Sequence, residues 1–290
     1  MKIGFSLFGI GPRSHAAVVQ QAERSGFESI WIPEHLVFPA NIPPTYPYTE
    51  DGRPPIDPST PLFDPWVSLA FLAAASERIL LGTSVYILPL RDPFVTARAV
   101  TTLDRVSQGR TILGIGVGWL KEEFDAAGQD FRTRGKRTDE IIHILKRLWT
   151  EETIEHHGEF YNFGAVKFQP KPSQKPHPPI VVGGTSQAAL RRAARLGDGW
   201  LGVGQISPEQ AGEIVQTLTR FREEAGRADQ LFEVSTSNAL EFTLDNVRRY
   251  EEAGIDRLTV GPPMSADGRL QLQDVIDFIE RTAEEIIGKV

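Results

Sequence analysis

Short apolar runs rich in β-branched residues alternate with longer amphipathic runs from one end of the chain to the other. Eight of the short runs have the length and composition of buried β-strands. These predicted strands cover residues 2–8, 29–34, 79–86, 111–118, 180–185, 200–204, 232–241 and 257–263. The longer runs between them have the spacing of helices. Regular alternation of strand and helix predicts a parallel sheet covered by helices.

Polar residues mark the start of several predicted helices. Ser14, Asp64, Asp92 and Thr243 each precede a helical run, and a proline follows each of the two aspartates. A small polar side chain at this position accepts a hydrogen bond from the first turn, and proline at the first helical position loses no helical bond. The sequence therefore predicts defined helix starts at these places.

Eight β–α repeats predict closure of the sheet into a (β/α)8 TIM barrel, an α/β fold that takes roughly 250 residues as a single domain. The chain has 290 residues, and we predict one such domain over residues 1–290. An open, doubly wound sheet is the alternative. The segment FGIGPR at the end of the first strand disfavours the open sheet, because it lacks the full glycine spacing of a dinucleotide-binding turn.

Two segments interrupt the alternation. The loop after the second strand, residues 35–63, is long and rich in proline, tyrosine and threonine. In a barrel this loop lies on the carboxyl-terminal face, where it either contributes to an active site or forms an ordered surface insertion or oligomer contact. The second interruption, at about residues 151–179, follows the fourth helix of the barrel. It is predicted to be a hairpin with a proline-rich tether, outside the barrel.

Composition excludes several classes of protein and site. The formal net charge is −7, and no cluster of lysine and arginine favours a nucleic acid or an anionic membrane as partner. The chain has no cysteine, which excludes disulfides, thiolate nucleophiles and cysteine-ligated metals. No apolar run approaches the ~20 residues of a membrane span. The apolar stretch at the N-terminus is too short for a signal peptide, so we expect a cytoplasmic protein.

In a barrel, chemistry takes place at the carboxyl-terminal ends of the strands. The candidate residues at these ends are Phe8, Glu34, His35, Thr83, Ser84, Val85, Gly116, Gly118, Trp119, Gly183, Gly184 and Thr185. His35 is the only one of six histidines so placed, and it suits proton transfer near neutral pH with Glu34 orienting it. In a structural alternative, His35 caps the loop and Glu34 pairs with an arginine. The histidines show no metal-site spacing, so no metal is expected.

Two glycine-rich segments have the features of ligand contacts. In VVGGTSQAAL, residues 181–190, the two glycines permit close approach and Thr185 lies where a helix begins, which favours an anion such as phosphate. In GIGVGW, residues 114–119, a flat ligand can lie against the backbone. Ordinary turns and close-packed barrel ends carry the same patterns, so neither segment identifies a ligand alone.

Several longer motifs, taken in order, resemble one known family. They are RILLGTSVYILPLRDPFVTARAVTTLDRVSQGRTILGIGVGW, EEF, KRTDEIIHILKRLW, PPIVVGGTS and RRAARLGDGW, and the similarity covers nearly the whole chain. The combination resembles the luciferase-like monooxygenase superfamily, and within it the branch that uses the deazaflavin coenzyme F420. The resemblance implies a barrel with the cofactor across its mouth. It places Ser84, Val85 and the GVGW segment beside the cofactor, and Gly183, Gly184 and Thr185 near its phosphate.

The resemblance also implies a reaction. It places His35 where relatives have a histidine, preceded by an acid, that faces the reactive C5 of the deazaflavin. Hydride transfer between C5 and a small organic substrate is implied, with His35 exchanging the accompanying proton. Relatives that oxidise glucose 6-phosphate have an acid where this chain has Trp119, and lysines that hold the sugar phosphate. No lysine lies near the end of the sixth strand here. We therefore expect an apolar or aromatic substrate, given Trp119, Phe8, Tyr46 and Tyr48.

Two other functions fit the same motifs. One is an FMN-dependent two-component monooxygenase that uses O2 and receives reduced FMN from a separate cofactor-reducing enzyme. The other is a non-catalytic barrel that binds a flavin or deazaflavin. The resemblance further implies a homodimer, and a cis peptide bond between Ser84 and Val85 that backs the cofactor ring.

Overall fold

Eight parallel strands close into a barrel in the computed structural model, which describes residues 1–238, 240–263 and 270–290. The strands in chain order are β1 Lys2–Ser6, β2 Ser29–Ile32, β3 Leu80–Thr83, its continuation β4 Tyr86–Ile87, β5 Thr111–Gly116, the separate hairpin of β6 Ile154–His157 and β7 Asn162–Val166, β8 Ile180–Gly183, β9 Gly199–Ile206, β10 Glu233–Asn238 and β11 Arg257–Val260. Strand β1 pairs with β2 and β11, and β3 pairs with β2 and β5, so the sheet closes on itself. The predicted TIM barrel is confirmed.

Most of the strands end a few residues earlier than predicted, because the residues beyond them turn outward to form the barrel mouth. The strand predicted over residues 79–86 is divided into β3 and β4. The peptide bond between Ser84 and Val85, for which the resemblance implies the cis form, is cis. Strand β9 is longer than predicted because it pairs with β10 as far as Ile206. Ala239, in the predicted seventh barrel strand, lies outside the described residues.

Helices surround the barrel. They are α1 His15–Arg24, α2 Pro65–Ala75, α3 Pro93–Val106, α4 Lys121–Ala126, α5 Arg134–Thr150, α6 Gln187–Leu196, α7 Pro208–Glu224, α8 Leu244–Glu252 and α9 Leu272–Glu285. Asp64, Asp92 and Thr243 cap α2, α3 and α8 through their side chains as predicted. Ser14 precedes α1 but makes no side-chain capping bond, because it ends a short 3-10 turn. Within the described ranges, no helix combines the length and apolarity needed to cross a membrane.

Large side chains fill the lower part of the barrel. Trp31 lies inside it, where a Cβ added to Gly4 or Gly82 would come within 2.8 or 2.6 Å of the indole. The Arg257 guanidinium lies 5.3 Å from the Trp31 ring and forms ion pairs with Glu28 and Glu233. A buried arginine with two carboxylate partners has its charge and its donors satisfied. These side chains occupy the lower interior of the barrel, above which the cavity at the mouth lies.

The second interruption in the sequence pattern is the predicted hairpin outside the barrel. Strands β6 and β7 pair antiparallel, and Glu140 of α5 accepts hydrogen bonds from the amides of Phe160 and Tyr161 at the hairpin turn. Asp104 of α3 accepts hydrogen bonds from the amides of Ser173 and Gln174 in the tether that leads back to β8. The prediction of a hairpin and tether after the fourth barrel helix, which is α5, is confirmed.

Candidate functional site

The long loop after β2 crosses the mouth of the barrel. A Cβ added to Gly204 on β9 would lie 2.9 Å from the Tyr48 Cβ, and one added to Gly184 would lie 3.4 Å from the Tyr48 hydroxyl oxygen. In the strand order, β9 lies four steps from β2. The loop therefore starts on one side of the eight-stranded barrel and reaches the opposite side.

Beneath this loop lies a cavity of about 1040 Å³. All of the candidate residues except Thr83 line it. The loop contributes Thr45, Tyr46, Pro47, Tyr48, Pro54, Pro55, Ile56 and Leu62. Thr83 is fully buried outside the cavity, and its hydroxyl donates to the carbonyl of Gly114 at 2.7 Å. Its side chain thus joins β3 to β5 and is not available to a ligand.

Val85 and two glycines form one wall of the cavity. A Cβ added to Gly116 would lie 2.5 Å from Val85 Cγ2, and one added to Gly183 would lie 2.8 Å from Val85 Cγ1. Val85 therefore packs into the space that side chains at both glycines would occupy. The result is a smooth wall of backbone and one branched side chain, which suits the face of a planar ring.

The amino-terminal end of α6 reaches the same cavity. Gly184, Thr185 and Ser186 line it, and Ser186 caps the helix by accepting a hydrogen bond from the Ala189 amide at 3.2 Å. Gly184 has φ +113°, which side chains rarely adopt. The positive end of a helix dipole stabilises an anion. This end of the cavity therefore suits a phosphate, as the glycine-rich segment predicts.

His35 is oriented by Glu123, not by its neighbour in sequence. Its Nδ1 lies 2.8 Å from Glu123 Oε2, and the Glu123 side chain is fully buried. Glu34 points elsewhere, where it pairs with Arg91 and accepts a hydrogen bond from the Ile87 amide at 2.7 Å. The expectation that Glu34 orients His35 is wrong, because the two side chains leave the backbone in different directions. The arginine pairing of Glu34 in the structural alternative is correct.

Burial sets the protonation behaviour of Glu34. It raises the pKa of Glu34 above the ordinary value of 4.5, and the charge of Arg91 and the Ile87 amide only partly oppose this. The folded protein therefore binds this proton more tightly than the unfolded chain does. The stability contributed by Glu34 is fully present below pH 4.5 and declines as the pH rises through its folded pKa.

We expect Arg91→Met to destabilise the protein more strongly as the pH rises. Loss of Arg91 leaves a buried carboxylate without its cation, which costs about 3 kcal/mol once Glu34 is ionised. Below the pKa of Glu34 its carboxyl is neutral and is not attracted to Arg91, so the variant loses less free energy of unfolding. Chemical denaturation across the pH range measures this. Arg132→Met is the control, because the Arg132 side chain is 90% exposed. A loss of unfolding free energy that does not depend on pH would show that Arg91 acts only by packing.

An aromatic cluster covers the other side of the cavity. The Trp119 ring lies 5.0 Å from that of Tyr46 and 5.9 Å from that of His35, and the rings of Tyr46 and Tyr48 are 5.2 Å apart. Burial raises the pKa of Tyr46, and it raises the pKa of Tyr48 to about 12. Both hydroxyls therefore keep their protons at neutral pH, and this aromatic cluster adds no charge to the cavity.

The structure adds charged residues that the sequence analysis does not place at the site. Lys121, Glu122 and Arg134 line the cavity, and Glu123 lies behind His35. They come from α4 and the start of α5. The sequence signal is the acidic run that follows GVGW, because in a barrel the residues after a strand end lie beside the mouth.

Comparisons with known proteins agree on the fold. The sequence profile of the family described as luciferase-like monooxygenase matches residues 5–240. A solved structure of coenzyme F420-dependent tetrahydromethanopterin reductase from Methanopyrus kandleri superposes with a TM-score of 0.77. The superposition covers 99% of this chain and 98% of that one at 18% sequence identity, so it concerns the fold alone.

Three curated relatives add sequence similarity. An uncharacterised protein of Mycobacterium tuberculosis is 36% identical over 276 residues, which cover 94% of each chain. The F420-dependent glucose-6-phosphate dehydrogenase of Kineococcus radiotolerans is 30% identical over 293 residues, covering 99% of this chain and 80% of the relative. The FMNH2-dependent dimethylsulfone monooxygenase of Pseudomonas putida is 36% identical over 130 residues, covering 44% of this chain and 36% of the relative.

Proposed function

Because the chain belongs to the luciferase-like monooxygenase family, we propose that it is an oxidoreductase that binds coenzyme F420 at the barrel mouth and exchanges a hydride with a small organic substrate. The observation that carries the proposal is the position of His35. It lines the same cavity as the glycine-backed wall, which is the surface formed by Val85, Gly116 and Gly183. A proton-transfer residue and a site for a planar ring thus share one enclosed space.

The residues present fit the cofactor. Gly116 and Gly183 leave room for a ring against Val85, and the amino-terminal end of α6 at Thr185 suits a phosphate. When bound, a deazaflavin supplies a carbon centre that carries a hydride. The protein positions the substrate, excludes water beneath the loop, and exchanges the substrate proton at His35. The similarity to the F420-dependent relative over 99% of this chain favours F420.

The lining of the cavity favours an apolar or aromatic substrate. The lining includes Trp119, Tyr46, Ile56 and Leu62, and large apolar side chains of this kind recognise ligands by area and shape. One Kineococcus relative is named for glucose 6-phosphate, but this chain has an indole at Trp119 where the resemblance places an acid in sugar-phosphate enzymes. We therefore propose a substrate without a sugar phosphate.

We expect oxidised F420 to bind the purified protein more tightly than FMN. The glycine-backed wall accommodates either ring, so a direct comparison is required. Titration of the protein with each cofactor, followed by fluorescence, measures both dissociation constants. Tight binding of FMN without binding of F420 would overturn the F420 proposal.

A second candidate function is an FMN-dependent monooxygenase that uses O2 and reduced FMN from a separate enzyme. The similarity to the Pseudomonas putida monooxygenase favours it over 44% of this chain. Consumption of O2 in the presence of reduced FMN and candidate substrates separates the two. The F420 proposal predicts substrate-dependent bleaching or recovery of deazaflavin absorbance without uptake of O2.

A further inference from the structure

Glu123 occupies an unusual place behind the candidate active site. Its side chain is fully buried, in the first turn of α4, yet it makes three hydrogen bonds to the segment that begins with His35. Oε2 lies 2.8 Å from His35 Nδ1, while Oε1 accepts from the amides of Leu36 at 2.5 Å and Val37 at 3.4 Å. The two oxygens therefore have separate partners.

The contact between Glu123 Oε2 and Nδ1 determines which ring nitrogen of His35 carries the proton. A carboxylate only accepts hydrogen bonds, so Nδ1 must donate its hydrogen to Glu123. The other nitrogen, Nε2, makes no hydrogen bond within residues 1–238, 240–263 and 270–290, and His35 lines the cavity. The neutral ring thus presents its lone pair at Nε2 to a ligand.

We propose that Glu123 is a positioning residue that holds His35 in the Nδ1–H tautomer and thereby makes Nε2 the proton-exchanging atom. The inference rests on the proposed function for the role of Nε2 in turnover, but the tautomer itself does not. Through Leu36 and Val37 the same carboxylate also anchors the start of the loop that covers the mouth. Glu123 therefore ties the orientation of the histidine to the position of the loop.

The variant Glu123→Gln tests the proposal by exchanging one oxygen for an amide. The two loop amides require an acceptor, so the glutamine oxygen takes the place of Oε1 and its NH2 group faces His35 Nδ1. An NH2 group donates, so Nδ1 must accept and the proton moves to Nε2. The histidine then presents a donor to the cavity. We expect the tautomer to switch and kcat in the direction that needs a base to fall by about 100-fold, with KM nearly unchanged.

Nitrogen-15 NMR of the histidine-labelled full chain, without cofactor or substrate, measures the tautomer. The expected spectrum shows His35 protonated at Nδ1 in the unmodified protein and at Nε2 in Glu123→Gln. Glu152→Gln, the same exchange at a carboxylate that is 81% exposed outside the barrel, is the control and should leave the His35 signals unchanged. Because the unmodified protein alone is informative, the test does not depend on the variant folding. His35 protonated at Nε2 in the unmodified protein would overturn the proposal.

The spectrum and the turnover separate the two hypotheses. A switched tautomer with unchanged turnover would uphold the role of Glu123 and reject proton exchange by His35. An unchanged tautomer in a folded Glu123→Gln variant would reject the role of Glu123, whatever the turnover.

Discussion

His35→Ala is expected to lower turnover with F420 by about 100- to 10,000-fold, the usual contribution of a positioned general acid or base. His35 lies in the cavity wall with one ring nitrogen held by Glu123. Alanine at this position removes the imidazole that we propose exchanges the substrate proton. It leaves the glycine-backed wall at Gly116 and Gly183 intact. Steady-state kinetics, together with a cofactor titration, therefore should show a fall in kcat with cofactor affinity changed by no more than a few-fold.

The control for this experiment is His157→Ala, because His157 is exposed on the hairpin outside the barrel. It should leave turnover unchanged. If His35→Ala left turnover unchanged as well, a catalytic role of this residue would be excluded. A protein that bound the cofactor but showed no turnover with any hydride donor or acceptor would instead favour the non-catalytic alternative.

Gly116→Val is expected to lower cofactor affinity by about 100-fold or more, equivalent to about 3 kcal/mol. The new Cβ would lie 2.5 Å from Val85 Cγ2, and the two methyl groups beyond it occupy further space in the wall. On its other side Val85 already packs closely beside Gly183, where an added Cβ would lie 2.8 Å from Val85 Cγ1, so the backbone of Gly183 limits its retreat. The wall must therefore move into the cavity. Fluorescence titration with F420 and FMN measures the loss for either ring.

Two further variants make this result specific. Gly164→Val is the matched control, since a Cβ at Gly164 meets nothing within 4 Å. Val85→Ala in the Gly116→Val background removes the atoms that collide, so it should recover part of the lost affinity. Thermal unfolding shows whether each variant is folded at the temperature of the titration. Undiminished affinity in a folded Gly116→Val protein would place the planar ring elsewhere.

The features that could be predicted from the sequence are those with local causes. Asp64 and Asp92 begin helices because each lies next to a proline and caps its own first turn. The barrel follows from the repeated alternation of strand and helix, and the mouth residues follow from the barrel, since every parallel strand presents its carboxyl end at the same face. The position of His35 at the mouth follows in the same way.

The partners across the mouth could not be predicted, because they are distant in sequence. Glu123 lies 88 residues from His35, and no spacing rule joins a histidine after the second strand to a helix after the fourth barrel strand. Adjacency in the sequence predicts Glu34 as the orienting group, yet Glu34 pairs with Arg91. The contact of Tyr48 with Gly204 has the same origin, since the path of a proline-rich loop depends on tertiary packing.

The closure of the lower barrel by Trp31 and Arg257 has a kinetic consequence. Because Trp31 and Arg257 fill the interior beneath the cavity, we expect its occupants to enter from the mouth. Val85 packs beside the strand residues Gly116 and Gly183, whereas Trp119 contacts Tyr46 of the covering loop. A molecule against Val85 would therefore lie deeper than one beside Trp119. The inner occupant must then arrive first and leave last. We therefore expect ordered binding, in which the molecule against Val85 enters before the molecule beside Trp119.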